Sequence, residues 1–79
     1  MERWVLVGLP SGRKARVSHR AGVLWWDWTA QGVYRVHLGC SKSKRGAMQQ
    51  ARNKMASHHY PEDSGKGVWK EEGKNDRTE

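Results

Sequence analysis

Two adjacent tryptophans, Trp25 and Trp26, inside the run GVLWWDW at 22–28 constrain this chain more than any other feature. The run reads as a strand, and in a strand neighbouring side chains point to opposite faces of the sheet. One of the two indoles therefore leaves the core, unless the strand is bulged or both of its faces are covered. The 79 residues are 35% hydrophobic by a broad count and include no Phe, so tryptophan has to supply bulk in a core of limited size. Three or four of the five tryptophans are expected to serve packing; the outward one needs another explanation.

Charge is unevenly spread. Residues 1–60 carry 11 Lys and Arg against Glu2 and Asp27, a net of +9. Residues 61–79 carry four basic and six acidic residues, a net of −2. A first part this positive points to a polyanionic partner, without distinguishing DNA, RNA or an anionic surface. Cys40 is the single cysteine, which suits a reducing, cytoplasmic setting. The N-terminus lacks the pattern of a secretion signal, and no apolar run approaches a membrane span of about 20 residues.

Four strands follow from alternation and turn residues: 3–9, 14–20, 23–29 and 33–38. With Ala21-Gly22 as a two-residue turn, Ala15 opposes Trp28, Val17 opposes Trp26, and Arg16 opposes Asp27. With Ala30-Gln31-Gly32 as a three-residue loop, Trp28 opposes Tyr34, Trp26 opposes Val36, Asp27 opposes Arg35 and Trp25 opposes His37. Both pairings sort apolar from polar onto the same faces. In the first strand a longer following loop turns Val5, Val7 and Leu9 inward, the favoured arrangement; a shorter one turns Trp4 and Leu6 inward.

At 41–59 the spacing becomes helical, with Ala47, Met48, Ala51 and Met55 on one stripe. Ser43 is the expected N-cap, with Ser41 as the alternative. The expected fold is α+β: a small antiparallel sheet of three to four strands with one C-terminal helix packed on one face. Residues 1–60 form the basic domain. Residues 61–79 read as a disordered, flexible tail, in which Val68 and Trp69 either dock back on the sheet or serve a partner.

On this register the uncovered face shows Arg16, Ser18, Arg20, Trp25, Asp27, Arg35 and His37. Guanidinium groups pair bidentately with phosphate, and an exposed indole stacks a base or anchors a protein interface. A second cationic group, Lys42, Lys44 and Arg45, precedes or opens the helix, where free backbone N–H groups attract phosphate. Arg52 lies seven residues after Arg45 on the same flank.

The stretch LGCSKSKRGAMQQARNKMA resembles the last strand and final helix of double-stranded-RNA-binding domains, where a small-residue turn leads into a Ser-Lys-Lys-type helix start. The resemblance covers about a quarter of the chain and implies that Lys42, Lys44 and Arg45 grip phosphates while Ala47 and Ala51 pack. The family's N-terminal helix has no counterpart here, since residues 3–9 read as a strand. The strand–strand–strand–helix order also resembles the sheet-type DNA-binding domains of phage integrase arms and plant transcription factors. That likeness implies a sheet face in the major groove, using Arg16, Arg20, Trp25 and Arg35.

The expected function is non-enzymatic binding of nucleic acid, DNA or RNA with a duplex favoured, mainly through phosphates. The alternative is a small phage-type inhibitor or adaptor, for example anti-CRISPR-like, that docks on a host nucleic-acid-processing protein. A homodimer through the outer face is a further possibility. No membrane partner is expected. Catalysis is not expected either: residues 1–60 have two carboxylates, and Cys40 with His37 is the only nucleophile–base pair near a strand end. His37, Cys40, His58 and His59 are zinc-ligand types, but their spacing matches no recurrent pattern, so neither metal nor cofactor is expected.

Overall fold

The computed structural model describes residues 1–56 and 58–72. Its strands are β1 (Glu2–Val7), β2 (Ala15–His19), β3 (Trp26–Gln31), β4 (Val36–Ser41) and β5 (Val68–Glu72), with one helix, α1 (Lys44–Met55). All pairings are antiparallel, in the order β4-β3-β2-β1-β5, and α1 crosses one face over β2, β3 and β4. The α+β class and the single helix on one face are as the sequence implies, with one strand more than expected.

The helix lies close because both surfaces are small where they meet. Ala15 and Ala30 on the sheet and Ala47 and Ala51 on α1 are all at most 1% exposed. Leu6, Leu9, Val17, Trp28 and Met55 complete the core, with Trp4, Trp26, Met48 and Trp69 packed at its margin. Ser43 caps the helix, its hydroxyl accepting from the Gly46 N–H at 3.0 Å. The stripe Ala47, Ala51 and Met55 is buried, as its spacing predicts.

The strand registers differ from the sequence reading. Arg20 to Val23 does form a tight turn, with the Val23 N–H donating to the Arg20 carbonyl at 3.1 Å and Gly22 at φ +87°. The loop then runs on through Trp25, so Val17 opposes Trp28 and Ala15 opposes Ala30. That is a slip of two residues, which leaves the faces unchanged. The β3–β4 slip is odd and reverses β4. Trp28 opposes Gly39, Ala30 opposes His37 and Asp27 opposes Cys40. Gly39 is what makes this pairing fit, since a Cβ there would overlap Trp28 Cζ2. The glycine is the space that the indole fills, and Trp28 Nε1 then donates to Gln50 Oε1 at 2.9 Å.

In β1 it is Leu6, at 1% exposure, and Trp4 that share the helix side with Val17 and Ala15, not Val5 and Val7. Val5 is nevertheless 8% exposed on the other face, between Arg16 and Lys70 on the adjacent strands; long cationic stems commonly cover apolar neighbours.

The largest departure concerns the tail. Residues 61–72 are structured; residues 73–79, also assigned to that tail, lie outside the described residues. Pro61–Asp63 form a 3-10 turn and Val68–Glu72 pair with β1, Trp69 opposing Leu6. The anchor is Asp63, 8% exposed, which meets Arg13, 7% exposed. Arg13 Nη2 lies 2.9 Å from Asp63 Oδ2 and 2.8 Å from the Met55 carbonyl. Its Nη1 donates to the Gln31 carbonyl at 3.1 Å, and the Tyr60 ring covers the guanidinium at 4.1 Å. Ser11 donates to the same carboxylate through N–H and Oγ. Gly67, at φ +89°, lets the chain pass over Leu6 and Leu9, where a Cβ would come within 2.9 Å of Leu9 Cδ2.

Two predictions follow from these contacts. Burial alone would raise the Asp63 pKa, but the Ser11 donors and Arg13 outweigh it and hold the carboxyl below its ordinary value. A depressed folded value means that the contribution is present above the unfolded pKa of about 3.9 and is lost as pH falls through the folded one. Asp63→Ala leaves Arg13 buried without its counter-ion and should cost about 3 kcal/mol in urea unfolding at neutral pH. The difference between variant and wild type should shrink in acid. Gly39→Ala forces the Trp28 ring to move and should cost about 1–3 kcal/mol, read from the same unfolding curves.

Candidate nucleic-acid interface

Each element contributes charge of a different character. α1, with sequence KRGAMQQARNKM, holds four cations and no carboxylate, and Lys42 just before it adds a fifth. The opposite face of the sheet mixes Arg3, Arg16 and Lys70 with Asp27 and Glu72. There Arg16 Nε lies 3.4 Å from Glu72 Oε1, with both side chains well exposed, a pair worth about 1 kcal/mol or less. The Arg16–Asp27–Arg35 arrangement inferred from sequence does not form: the β2–β3 slip sets Arg16 opposite Thr29, and the reversed β4 brings Cys40 beside Asp27 and leaves Arg35 in the β3–β4 turn.

The set expected on one sheet face is dispersed. Arg16 stays on the uncovered face with Ser18 and Asp27. Arg20 and Trp25 stand in the β2–β3 loop, both exposed, Trp25 at 51%. Arg35 lies in the turn at the other end of β3. His37 is on the helix side of β4, opposite Ala30. Trp25 is thus the outward indole of the adjacent pair, standing in a loop rather than on the strand face that holds Arg16.

The helix start holds together better. Lys44 Nζ sits 4.6 Å over the Trp4 ring and 6.0 Å from that of Trp26, and 3.4 Å from Glu2 Oε2. Trp4 Nε1 also donates to that carboxylate. This hydrogen bond, helped by Lys44 and opposed by burial, holds the Glu2 carboxyl below the ordinary range. His19 stacks on Trp26 with ring centres 4.4 Å apart and planes at 20°. Two half-buried indoles, an imidazole and an ammonium thus share the sheet margin just beyond the helix N-terminus. Gly46, a poor helix former, lies close against Ser41, whose Oγ would have to turn aside for a Cβ there.

From this cluster a groove of about 220 Å³ runs along the β5 flank of α1, lined by Lys44, Arg45, Met48, Gln49, Arg52 and Trp69. Arg45 and Arg52 share the groove, as their spacing of seven predicts. They differ in role. Arg45 is exposed, whereas Arg52 donates to the Lys66 and Gly67 carbonyls at 3.0 and 3.4 Å and so fastens the approach to β5. Lys42 is exposed in the β4–α1 connection.

Trp4 and Trp26 are members of this site that the sequence reading does not single out, since it turns Trp26 into the core and leaves the face of Trp4 open. Of the two roles the sequence offers Val68 and Trp69, docking on the sheet is the one observed, with Trp69 opposite Leu6. Among the described residues no three His, Cys, Asp or Glu side chains gather as a metal site, and no described helix is long and apolar enough to cross a membrane. No protein-family model, curated protein or solved structure matches the chain.

Ser43→Ala should remove the cap on which the helix start depends. The expected cost is about 1 kcal/mol in thermal or urea unfolding.

Proposed function

We propose that this protein is a non-enzymatic nucleic-acid-binding protein that grips phosphates with Lys42, Lys44 and Arg45 and presents the groove along α1 to the strand. The observation that carries this reading is the carboxylate-free helix with its cations set beside half-buried indoles; the opposite sheet face, being mixed in sign, offers a weaker field. Cations at a helix N-terminus oppose the helix dipole, so their grouping there calls for an anionic partner. Trp4 holds the Lys44 ammonium over its ring at that margin, and His19 covers a face of Trp26, so the cations rather than the rings face a partner. A duplex remains the favoured substrate, because the contacts available are mainly to phosphate. A cytoplasmic setting accords with the lone, exposed Cys40.

The test is a mobility-shift titration across salt. Wild type should shift a short DNA or RNA duplex at micromolar protein in low salt, and affinity should fall by about 0.9 log units per log unit of salt for each DNA phosphate neutralised. Lys42→Ala/Arg45→Ala should weaken binding to every sequence alike and flatten that slope by about two contacts. Absence of any shift for DNA and RNA removes the proposal.

A protein partner is the second reading, in the manner of a small phage-type inhibitor of a nucleic-acid-processing protein. It is favoured by apolar exposure along and beside the edge strand β4: Tyr34 at 92%, Leu38 at 75% and Val36 at 52%, with Leu24 at 85% in the β2–β3 loop. In that case Leu38→Lys abolishes capture of the partner, whereas duplex binding in the first reading is untouched by it.

A further inference from the structure

We propose that the depression between the β3–β4 turn and the C-terminal end of α1 is a phosphomonoester site. It encloses about 340 Å³, and its wall includes Arg13, Arg35, His37, Lys54 and His59. None of the residues that line it is a carboxylate. The carboxylate nearest in the network, Asp63, is already engaged by Arg13 and Ser11. Arg35 and Lys54 border the depression as cations, and an anion seated in it is attracted to both.

The wall has fixed and movable parts. The Arg13 guanidinium donates to Asp63, Gln31 and Met55, so it is held in place and is not the principal ligand. His37 is positioned by the turn: a Cβ on Gly32 would stand 2.7 Å from His37 Nε2, so the imidazole rests where a side chain at 32 would be. The turn is closed by the Gly32 N–H donating to the Arg35 carbonyl at 2.8 Å. Arg35 and Lys54 are exposed on either side, able to close on oxyanions from the β3–β4 turn and from α1. A monoester phosphate offers three oxygens and about −1.5 to −2 charge at neutral pH. That matches two cations with two imidazoles in the same wall better than the single charge of a phosphodiester does. The volume lies at the lower end of the roughly 300–1,000 Å³ typical of small-ligand sites, and Tyr34 at the rim offers a ring to whatever the phosphate is attached to.

The same chemistry is presented by the terminal phosphate of a nucleic-acid strand and by the phosphate of a free small molecule. The site is separate from the groove at the start of α1, so it stands or falls independently of nucleic-acid binding there.

The full chain, labelled with nitrogen-15, is titrated with inorganic phosphate, with sodium chloride at matched ionic strength as control. Expected are amide shifts confined to residues 32–37 and 54–56, saturating in the millimolar range, about −4 kcal/mol, and not reproduced by chloride. Arg35→Ala/Lys54→Ala, both at exposed positions, should weaken this binding at least about tenfold. Lys42→Ala/Arg45→Ala should leave it intact even where duplex binding is lost. Oligonucleotides with a 5′-phosphate and a 5′-hydroxyl are then compared. A gain from the phosphate that Arg35→Ala/Lys54→Ala removes assigns the site to strand ends, and equal binding of the two assigns it to a free small molecule. Shifts that chloride reproduces, that spread along α1, or that survive Arg35→Ala/Lys54→Ala overturn the proposal, as does the absence of shifts.

Discussion

The buried guanidinium of Arg13 is the point on which the arrangement of this chain depends. It reaches the end of β3 through the Gln31 carbonyl, the end of α1 through the Met55 carbonyl, and the 3-10 turn through Asp63. Three segments far apart in sequence are thereby held around one group with directional donors. A buried ion pair is not by itself strong evidence of stability, because desolvation offsets much of the attraction. Here the pair also satisfies carbonyls at the ends of a strand and a helix, which would otherwise need other partners. Its effect is to fix where the chain goes after α1, and so to bring β5 alongside β1.

The architecture was legible because two periodicities were strong. Alternation marks β1 to β4, and the stripe Ala47, Ala51 and Met55 marks α1. Register was not legible, since apolar sorting tolerates more than one pairing when Val, Leu and Trp are freely exchanged between opposed positions. The reading placed Trp28 opposite Tyr34 and overlooked Gly39, whose presence inside a strand signals a close approach. Once Gly39 is set opposite Trp28, β4 reverses, and Val36 and Leu38 turn to the uncovered face. Residues 61–72 were illegible for a different reason. Their order depends on Asp63 finding Arg13 across some fifty residues, a pairing that no local composition announces.

The same causes divide the candidate site. Lys42, Lys44, Arg45 and Arg52 were legible because they belong to a helix whose spacing and cap are local properties. The proposed cluster of Arg16, Arg20, Trp25, Arg35 and His37 depended on register and came apart with it. The indoles that do border the cations, Trp4, Trp26 and Trp69, lie on three different strands. Only the tertiary fold brings them to one margin, and charge counting along the chain could not.

That margin has an optical consequence. Trp28 is sealed in the core and hydrogen-bonded to Gln50, and Trp25 stands largely in solvent. The remaining three indoles line or adjoin the groove: Trp69 in its wall, and Trp4 and Trp26 beside the Lys44 ammonium, Trp26 also stacked on an imidazole. Light emitted by indole responds to nearby charge and to the polarity of its surroundings. The chain therefore carries its own fluorescent reporters at the helix start, set apart from the sealed indole of Trp28.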